Sequence, residues 1–434
     1  MQGLATDNAP SPKVVVPHFL YAAISFLILS IMVMLSGSSF TGYFFQPNLL
    51  AITHVAALGW GTMIIFGALY QLIPVIFETS LYSEKMAHTT FWMFGAGIIL
   101  MVFAFWTIDF TLLLPIAGVI VFTALLIFTV NVFLSFQKSE KKNIKSLFIG
   151  ASAIWLLLTA LLGLLIALNY RYNFLSQSHL LYLKMHAHMG IAGWFLLLIF
   201  GAASTLIPMF LISHKMNEKK LSYSFYFVNS GLVLLSLDWL ILHGTQFLPV
   251  YGIIIVIGIL FFLSYVRESY KKRLRKNLDF GMKHTMIAML ALFLPIVLGL
   301  IASQQFIEIP QTFLWKIIML YGFSIFFIFI TSIILGQTYK TIPFIIWLVV
   351  YTNMVGKAKT PLPKELYSEK LAIWQLYIYV LAVLILLAGI ISGIHFIVEA
   401  GGLFLIVTAI LYSINVFKIV FHKATISPEN ETVN

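Results

Sequence analysis

The sequence predicts an all-α integral membrane protein of about twelve transmembrane helices. Of its 434 residues, 61% are hydrophobic and only 9% are charged, and the mean hydropathy is +1.00. A soluble chain carries roughly a quarter charged residues. Apolar stretches of about twenty residues recur along the chain, and each is long enough to cross about 30 Å of hydrocarbon as a helix. The whole chain, residues 1–434, is therefore predicted to be a single transmembrane domain.

The limits of the spans follow from the apolar stretches and the polar loops between them. The predicted spans lie near residues 16–37, 48–76, 87–107, 110–135, 146–169, 180–212, 222–243, 247–266, 284–303, 313–336, 372–395 and 398–421. Segment 343–352 is too short to cross a bilayer and is predicted to be a separate interfacial helix on the cytoplasmic side.

The basic residues predict the orientation. With twelve spans, both termini and the even-numbered loops share one side, and 23 of the 26 Lys and Arg residues fall there, all except Arg171, Lys184 and Lys316. Basic residues favour the cytoplasmic side, so both termini are predicted to be cytoplasmic, in a bacterial inner or plasma membrane. Because these charges are scattered over juxtamembrane loops, lipid is the expected partner and nucleic acid is excluded.

Two classes of feature are absent from the sequence. The chain has no cysteine, which excludes disulfides, thiolate-ligated metals and covalently attached c-type haem. The polar segment 1–11 lacks the basic and short apolar regions of a removable signal peptide, so none is predicted.

An internal repeat organises the chain. Segments 54–74 and 188–208 are identical at ten of 21 positions in a single ungapped register. A further step of nearly the same length along the chain reaches the tenth span, where Gly336, Ile342 and Pro343 recur. Glycine, tryptophan and proline could each be ordinary packing or helix punctuation, but ten matches in one register indicate a repeat. Three pseudo-repeated four-helix units are therefore predicted, near 16–135, 146–266 and 284–421.

Histidines on two copies of this repeated helix are the main functional candidates. His54 and His188 occupy equivalent positions about one and a half turns below the predicted outer surface. An ionisable residue at such depth is costly and marks a functional site by default. Two imidazoles on equivalent faces can share a metal, and a haem held between the two helices would satisfy both. The alternative is a pair of histidines hydrogen-bonded to backbone carbonyls or to hydroxyl groups.

His186 adds a second candidate position. It precedes His188 by two residues, so the two side chains point about 200° apart on a helix. They cannot bind one metal, but His186 can face a second centre, a polar cavity or the outer interface. His243 and His395, at the predicted ends of spans seven and eleven, could complete a second metal site with His186, although interfacial histidines are the simpler interpretation.

Three further sets of polar residues have more than one interpretation. Asp238, five residues before His243, could hydrogen-bond a ligand histidine or pair with an outer loop. Tyr70 and Gln71 could be packing or cavity groups. The histidines at the predicted cytoplasmic ends of spans are interpreted as interfacial: His18, His88, His284 and His422.

The motif His186-Ala187-His188, with Gly201 and Pro208 downstream, resembles the haem-bearing helix of the haem–copper oxidase subunit I superfamily. The twelve spans, the three repeated units and the cytoplasmic termini are also similar to that family. The resemblance implies an oxidase subunit I-like fold. It also implies that His54 and His188 bind a low-spin haem of b or another non-covalent type, with His186 facing a second centre.

The departures from that family are equally informative. Its His-x-His helix is the tenth, whereas here it is the sixth, and the tenth span has Tyr321 and Phe323 in those positions. The family's histidine-rich copper motifs and an inner proton-channel carboxylate or lysine are not found. Oxygen reduction coupled to proton pumping is therefore not expected. The remaining likeness, in size and topology, is to degenerate relatives such as the haem- and copper-containing nitric-oxide-response membrane proteins of the NnrS kind.

The sequence thus predicts a haem-binding membrane protein that transfers electrons or handles nitric oxide or oxygen, in respiration or under nitrosative stress. Copper, a quinol or cytochrome donor and a partner subunit are left open, as is catalysis itself; an enzyme of this kind would be a haem-dependent oxidoreductase. The alternative is a non-enzymatic transporter or a haem or copper assembly factor, and a third interpretation is a metal-free sensor or interaction subunit.

Overall fold

The structure is a computed structural model that describes residues 8–140, 142–243, 247–304 and 306–424. These residues form no strand, and twelve of their helices are long and apolar enough to cross a membrane. The helices are α1 (Pro12–Leu35), α2 (Pro47–Phe77), α3 (Glu84–Trp106), α4 (Leu113–Lys138), α5 (Ile144–Tyr172), α6 (His179–Leu211), α7 (Lys219–Leu242), α8 (Leu248–Lys271), α9 (Phe280–Ser303), α10 (Gln311–Met354), α11 (Glu369–Ser392) and α12 (His395–Val420). The predicted all-α membrane fold and the number of spans are confirmed.

The largest boundary error concerns α10. The sequence predicted that this span ends at 336 and that 343–352 is a separate interfacial helix, but the helix continues through Pro343 to Tyr351 and ends with a short 3₁₀ turn, Thr352–Met354. That prediction is wrong because a proline within a helix removes one hydrogen bond without ending it, and membrane helices tolerate this where neighbours pack on them.

The helices form a closed ring of three four-helix groups. In each group the first helix packs on the second, and the third and fourth helices form a hairpin. The groups join where α4 packs on α5, α8 on α9 and α12 on α1. Helices α2, α6 and α10 lie innermost: 67% of their most apolar 18-residue stretch is buried, against 28 to 56% in the other nine spans.

The three inner helices share an unusual backbone feature. Each contains a π-helical segment, in which the hydrogen bonds join residues five apart in the chain and not four apart as in an α-helix. The segments are Val55–Thr62, Met189–Leu196 and Ser324–Ile330. They recur at the offsets of the sequence repeat, and each directly follows the position held by His54, His188 or Phe323. π-Helical segments are frequent at functional sites.

Buried hydrogen bonds tie the inner helices together at the level of these segments. The indole Nε1–H of Trp194 on α6 donates to Thr62 Oγ1 on α2 at 2.9 Å, and that of Trp60 on α2 donates to Thr331 Oγ1 on α10 at 3.1 Å. At the junction between α6 and α10, the position of the tryptophan is held by Phe329 on α10 and that of the threonine by Leu196 on α6. Both side chains are buried. In both hydrogen bonds, the tryptophan of one inner helix therefore donates to the next inner helix in the same direction around the ring.

Glycines let the first and second helices of each group approach closely. A Cβ built on Gly67, Gly201 or Gly336 would lie 2.7 to 2.8 Å from the Cβ atom of His18, Phe148 or His284 respectively. His18 and His284 are consequently 0% and 2% exposed, so the prediction that they are interfacial is wrong. The three-unit repeat stays a prediction, which these recurring contacts support.

Candidate functional site

The side chains of His54 on α2 and His186 on α6 face each other. Their ring centres are 6.3 Å apart and the ring planes are inclined by 26°. Both rings line a mainly apolar cavity of about 190 Å³ enclosed by α2 to α6 with one residue of α10. Two half-buried imidazoles of different helices therefore line one cavity.

Backbone carbonyls determine the tautomer of both rings. The Nδ1–H of His54 donates to the carbonyl oxygen of Leu50 at 2.7 Å, and that of His186 donates to the carbonyl of Thr159 on α5 at 2.9 Å. A neutral imidazole that donates from Nδ1 has its lone pair on Nε2. Each histidine therefore keeps Nε2 as a donor atom for a metal, with the carbonyl acting as the orienting partner typical of metal-bound histidines.

Neighbouring helices hold the two rings in place. The His186 ring lies directly on Gly163 of α5, where an added Cβ would come within 2.8 Å of His186 Cε1. On the other side, the His54 ring packs on Phe105 of α3 with 4.8 Å between ring centres. The absence of a side chain at Gly163 is thus a requirement for the observed position of His186.

The pairing differs from the one predicted. The sequence assigned His188 as the partner of His54, whereas the structure brings His186 to His54. His188 lies on another side of α6, where its ring packs against Trp239 and Tyr321. The two histidines do face different neighbours, as two residues separated by about 200° on a helix must. Which of them meets α2 depends on how α6 is rotated in the ring of helices, and periodicity does not specify that rotation.

The remaining candidates do not form a second cluster. Within the described ranges, no group of three or more His, Asp or Glu residues is placed to hold a metal ion. His243 caps α7 in the left-handed conformation, and its Nδ1 bonds the carbonyl of Trp239. His395 begins α12 instead of ending α11. Asp238 is 5% exposed and accepts a long hydrogen bond, 3.4 Å, from the hydroxyl of Tyr251.

Sequence reasoning missed one histidine of the cavity wall. His179, at the first turn of α6, lines the cavity, and its Nε2 accepts a hydrogen bond from Asn169 Nδ2 at 3.0 Å. Its Nδ1 is buried and has no partner among the residues described. His179 Nδ1 thus carries a proton that no acceptor among the described residues receives. No repeat or motif singles out His179 in the sequence.

These residues fit a haem. Metal–imidazole bonds are roughly 2 Å long and an imidazole nitrogen lies about 1 Å from its ring centre, so two imidazoles that share one metal ion have ring centres about 6 Å apart. The 6.3 Å between His54 and His186 agrees with this value. The mainly apolar lining of the cavity suits a flat apolar macrocycle better than a hydrated ion.

No protein-family model matches the chain. The functional assignment therefore depends on the geometry of the site.

Proposed function

We propose that this protein binds one non-covalently held haem between α2 and α6, which the imidazoles of His54 and His186 would hold, and that it transfers electrons through this haem. The observation that carries the proposal is the pair of imidazoles that face each other across an enclosed cavity, each with Nδ1 bonded to a backbone carbonyl. The oxidase subunit I-like fold inferred from the His-x-His motif belongs to the same proposal.

The chemistry of this pair favours electron transfer. When bound, a haem held by two imidazoles would supply electron exchange and would not bind gases. The carbonyls of Leu50 and Thr159 keep both rings in the ligating tautomer, and the cavity walls are mainly apolar. A quinol or a cytochrome is the expected donor. Handling of nitric oxide or oxygen requires a coordination position that His54 and His186 leave no room for.

The visible spectrum of the purified full-length protein tests the proposal. We expect a Soret band and the sharp α and β bands of a low-spin haem on reduction, together with iron in metal analysis. His54→Ala should remove the low-spin bands, while His214→Ala, at an exposed loop histidine, should leave them unchanged. A folded protein with no Soret band would contradict the proposal and favour the transporter or assembly factor predicted as the alternative.

The proposal includes cytoplasmic termini, supported by the 23 of 26 basic residues on that side of the sequence-based topology. The chain has no cysteine, so single cysteines can be labelled without background. We expect Ser176→Cys, between α5 and α6, to react with an impermeant maleimide in intact cells. His214→Cys, between α6 and α7, should react only after the cells are lysed. The reverse pattern would show that the orientation is inverted.

A further inference from the structure

Two loops on the predicted cytoplasmic side, one between α6 and α7 and one between α8 and α9, form a single surface. The backbone N–H of Leu274 donates to the carbonyl of Ile212 at 3.4 Å. That of Arg275 donates to the carbonyl of Leu211, the last residue of α6, at 3.3 Å. The last carbonyls of a helix have no partner within it, so the second loop satisfies the end of α6.

Side chains join the same two parts of the chain. The hydroxyl of Ser213 donates to the carbonyl of Ser269 at 2.8 Å. The ammonium group of Lys272 donates to the carbonyl of Lys215 at 2.7 Å. Together with the two backbone bonds, these contacts fix the position of one loop relative to the other.

The two loops carry a concentration of basic residues. Segments 215–220 and 267–276 contain nine of the 26 Lys and Arg residues but only two acidic residues. Three of the four arginines of the chain lie within 267–275. The preference of basic residues for the cytoplasmic side is met by lysine as well as by arginine. It does not account for a cluster of arginines, whose paired N–H groups match the oxygens of a phosphate.

Few carboxylates neutralise this charge. Glu268 pairs with Lys220 and Lys272, at 2.8 and 2.7 Å, and Asp279 pairs with Arg275 at 3.4 Å. The remaining six basic residues of the two segments make no ion pair with any residue that the structure describes. We call these six the basic surface: Lys215, Lys219, Arg267, Lys271, Arg273 and Lys276.

Arg273 is held in place before any ligand binds. Its Nη1–H donates to the carbonyl of Tyr270 at 2.6 Å, and the guanidinium group lies 3.7 Å from the centre of the Tyr270 ring. Its Nε–H has no hydrogen-bond partner among the described residues. A guanidinium group that is already oriented loses less freedom on binding, and an anionic oxygen is the acceptor that it prefers.

Exposed tyrosine and leucine side chains indicate the depth of the basic surface in the membrane. Tyr223 and Tyr226, in the first turns of α7, are 50% and 61% exposed, and Leu274, between two arginines, is 66% exposed. Exposed tyrosines are typical of the membrane–water interface, and a leucine among basic residues is typical of a segment that lies against lipid. The basic surface therefore lies at the level of the lipid headgroups.

We infer that the basic surface is a binding site for an anionic phospholipid, which it recognises by the phosphate of the headgroup. A zwitterionic lipid carries its own cation and would leave the surplus positive charge without a counter-ion, so the net charge of the headgroup decides the binding. The second four-helix group ends with α8 and the third begins with α9, and these helices pack on each other. A lipid bound at the loop between them would hold the two groups together. The inference does not depend on the haem.

Native mass spectrometry of the full-length protein in detergent, titrated with lipid, tests the inference. We expect phosphatidylglycerol to bind more tightly than phosphatidylcholine with the same acyl chains. The triple variant Arg267→Gln, Arg273→Gln, Lys276→Gln should lose about 100-fold in affinity for phosphatidylglycerol, because each basic residue near an anionic lipid contributes roughly fivefold. The matched control removes the same charge from the loop between α10 and α11 and should bind as the unaltered protein does: Lys357→Gln, Lys359→Gln, Lys364→Gln.

The other outcomes would overturn the inference. Equal affinities for the two lipids would mean that the headgroup is not recognised, and equal losses in both triple variants would mean that only the net charge of the protein matters. Displacement of the lipid by free glycerol phosphate would show that a soluble phosphate is the ligand.

A charge-conserving variant keeps the test decisive if the glutamine variant does not fold. Arg267→Lys with Arg273→Lys retains the charge but loses the paired N–H groups, so it should bind phosphatidylglycerol more weakly than the unaltered protein. Unchanged affinity in this folded variant would contradict a site built on arginine. None of these measurements uses the haem, so a failure of the proposed function would leave them intact.

Discussion

The junctions that α2 makes with α6 and with α10 are held by the same kind of hydrogen bond but differ in the side chains that lie between the helices. Both are closed by a buried hydrogen bond from a tryptophan to a threonine within the π-helical segments or next to them, Trp194 to Thr62 in one and Trp60 to Thr331 in the other. Toward the N-terminal ends of these helices, the first junction holds His54 and His186 around a cavity, whereas the second is filled by apolar side chains.

The comparison distinguishes a contact that holds the inner helices together from a pair of residues that serves function. Because the tryptophan–threonine contact occurs at a junction with histidines and at one without them, it serves to hold the inner helices together. The histidine pair is an addition to that framework. Placing two half-buried imidazoles against a mainly apolar cavity has a cost that packing alone does not recover, which supports a ligand that offsets it.

The largest expected loss of haem affinity comes from adding a side chain at Gly163, on which the His186 ring rests. Gly163→Leu should weaken haem binding between His54 and His186 about 100-fold, roughly 2.7 kcal/mol, because the new side chain must displace the His186 ring. Titration of the haem-free protein with haem, followed by the low-spin absorbance, measures this change.

Gly150→Leu is the matched control for that experiment. Gly150 lies on the same helix, α5, and an added Cβ there would meet nothing within 4 Å. Its haem affinity should equal that of the unaltered protein. Equal affinities in both variants would mean that His186 does not hold the haem, and the distinction between the two junctions would lose its functional meaning.

A smaller effect, on the free energy of unfolding, is expected from the two tryptophan–threonine hydrogen bonds. Double-mutant cycles of Trp60→Phe with Thr331→Val, and of Trp194→Phe with Thr62→Val, should give coupling energies of about 0.6 kcal/mol at both junctions, and at most about 1.7 kcal/mol, as for other interhelical hydrogen bonds in membranes. A cycle is needed because the Thr331 hydroxyl also donates to the carbonyl of Phe326. Unfolding in detergent mixtures measures these energies.

The haem spectrum should not change in either cycle. Coupling at only one junction would mean that the two contacts are not equivalent parts of the framework. A spectral change in the Trp194 cycle alone would mean that the tryptophan level contributes directly to the haem site.

Hydropathy was sufficient for the class of fold and the number of spans, because crossing a bilayer imposes a length and a composition that can be counted. The depth of His54, His186 and His188 along their helices followed in the same way. The partner of His54 did not follow, because the rotation of α6 about its axis is set by contacts with α2, α5, α7 and α10 that a single helix pattern does not contain.

The glycines on which the His186 and Tyr321 rings rest show the same limit. Gly163 and Gly299 are separated along the chain by almost the offset of the repeat, so a comparison of the fifth and ninth spans could have pointed to them. Their role depends on the ring that rests on each glycine, which only the packing of one helix on another reveals. The continuation of α10 through Pro343 escaped for a related reason, since neighbouring helices stabilise it.

The closure of the ring has a consequence for biosynthesis. Helix α12 packs on α1 so closely that a Cβ on Gly402 would lie 2.6 Å from the Cα of Met34. Yet α1 ends at Leu35 and α12 begins at His395. At about 5 to 20 residues per second, roughly 20 to 70 s of translation separate the two helices. During that interval the face of α1 that α12 will cover must be in contact with lipid, with the insertion machinery or with a chaperone, and the ring can close only near the end of synthesis.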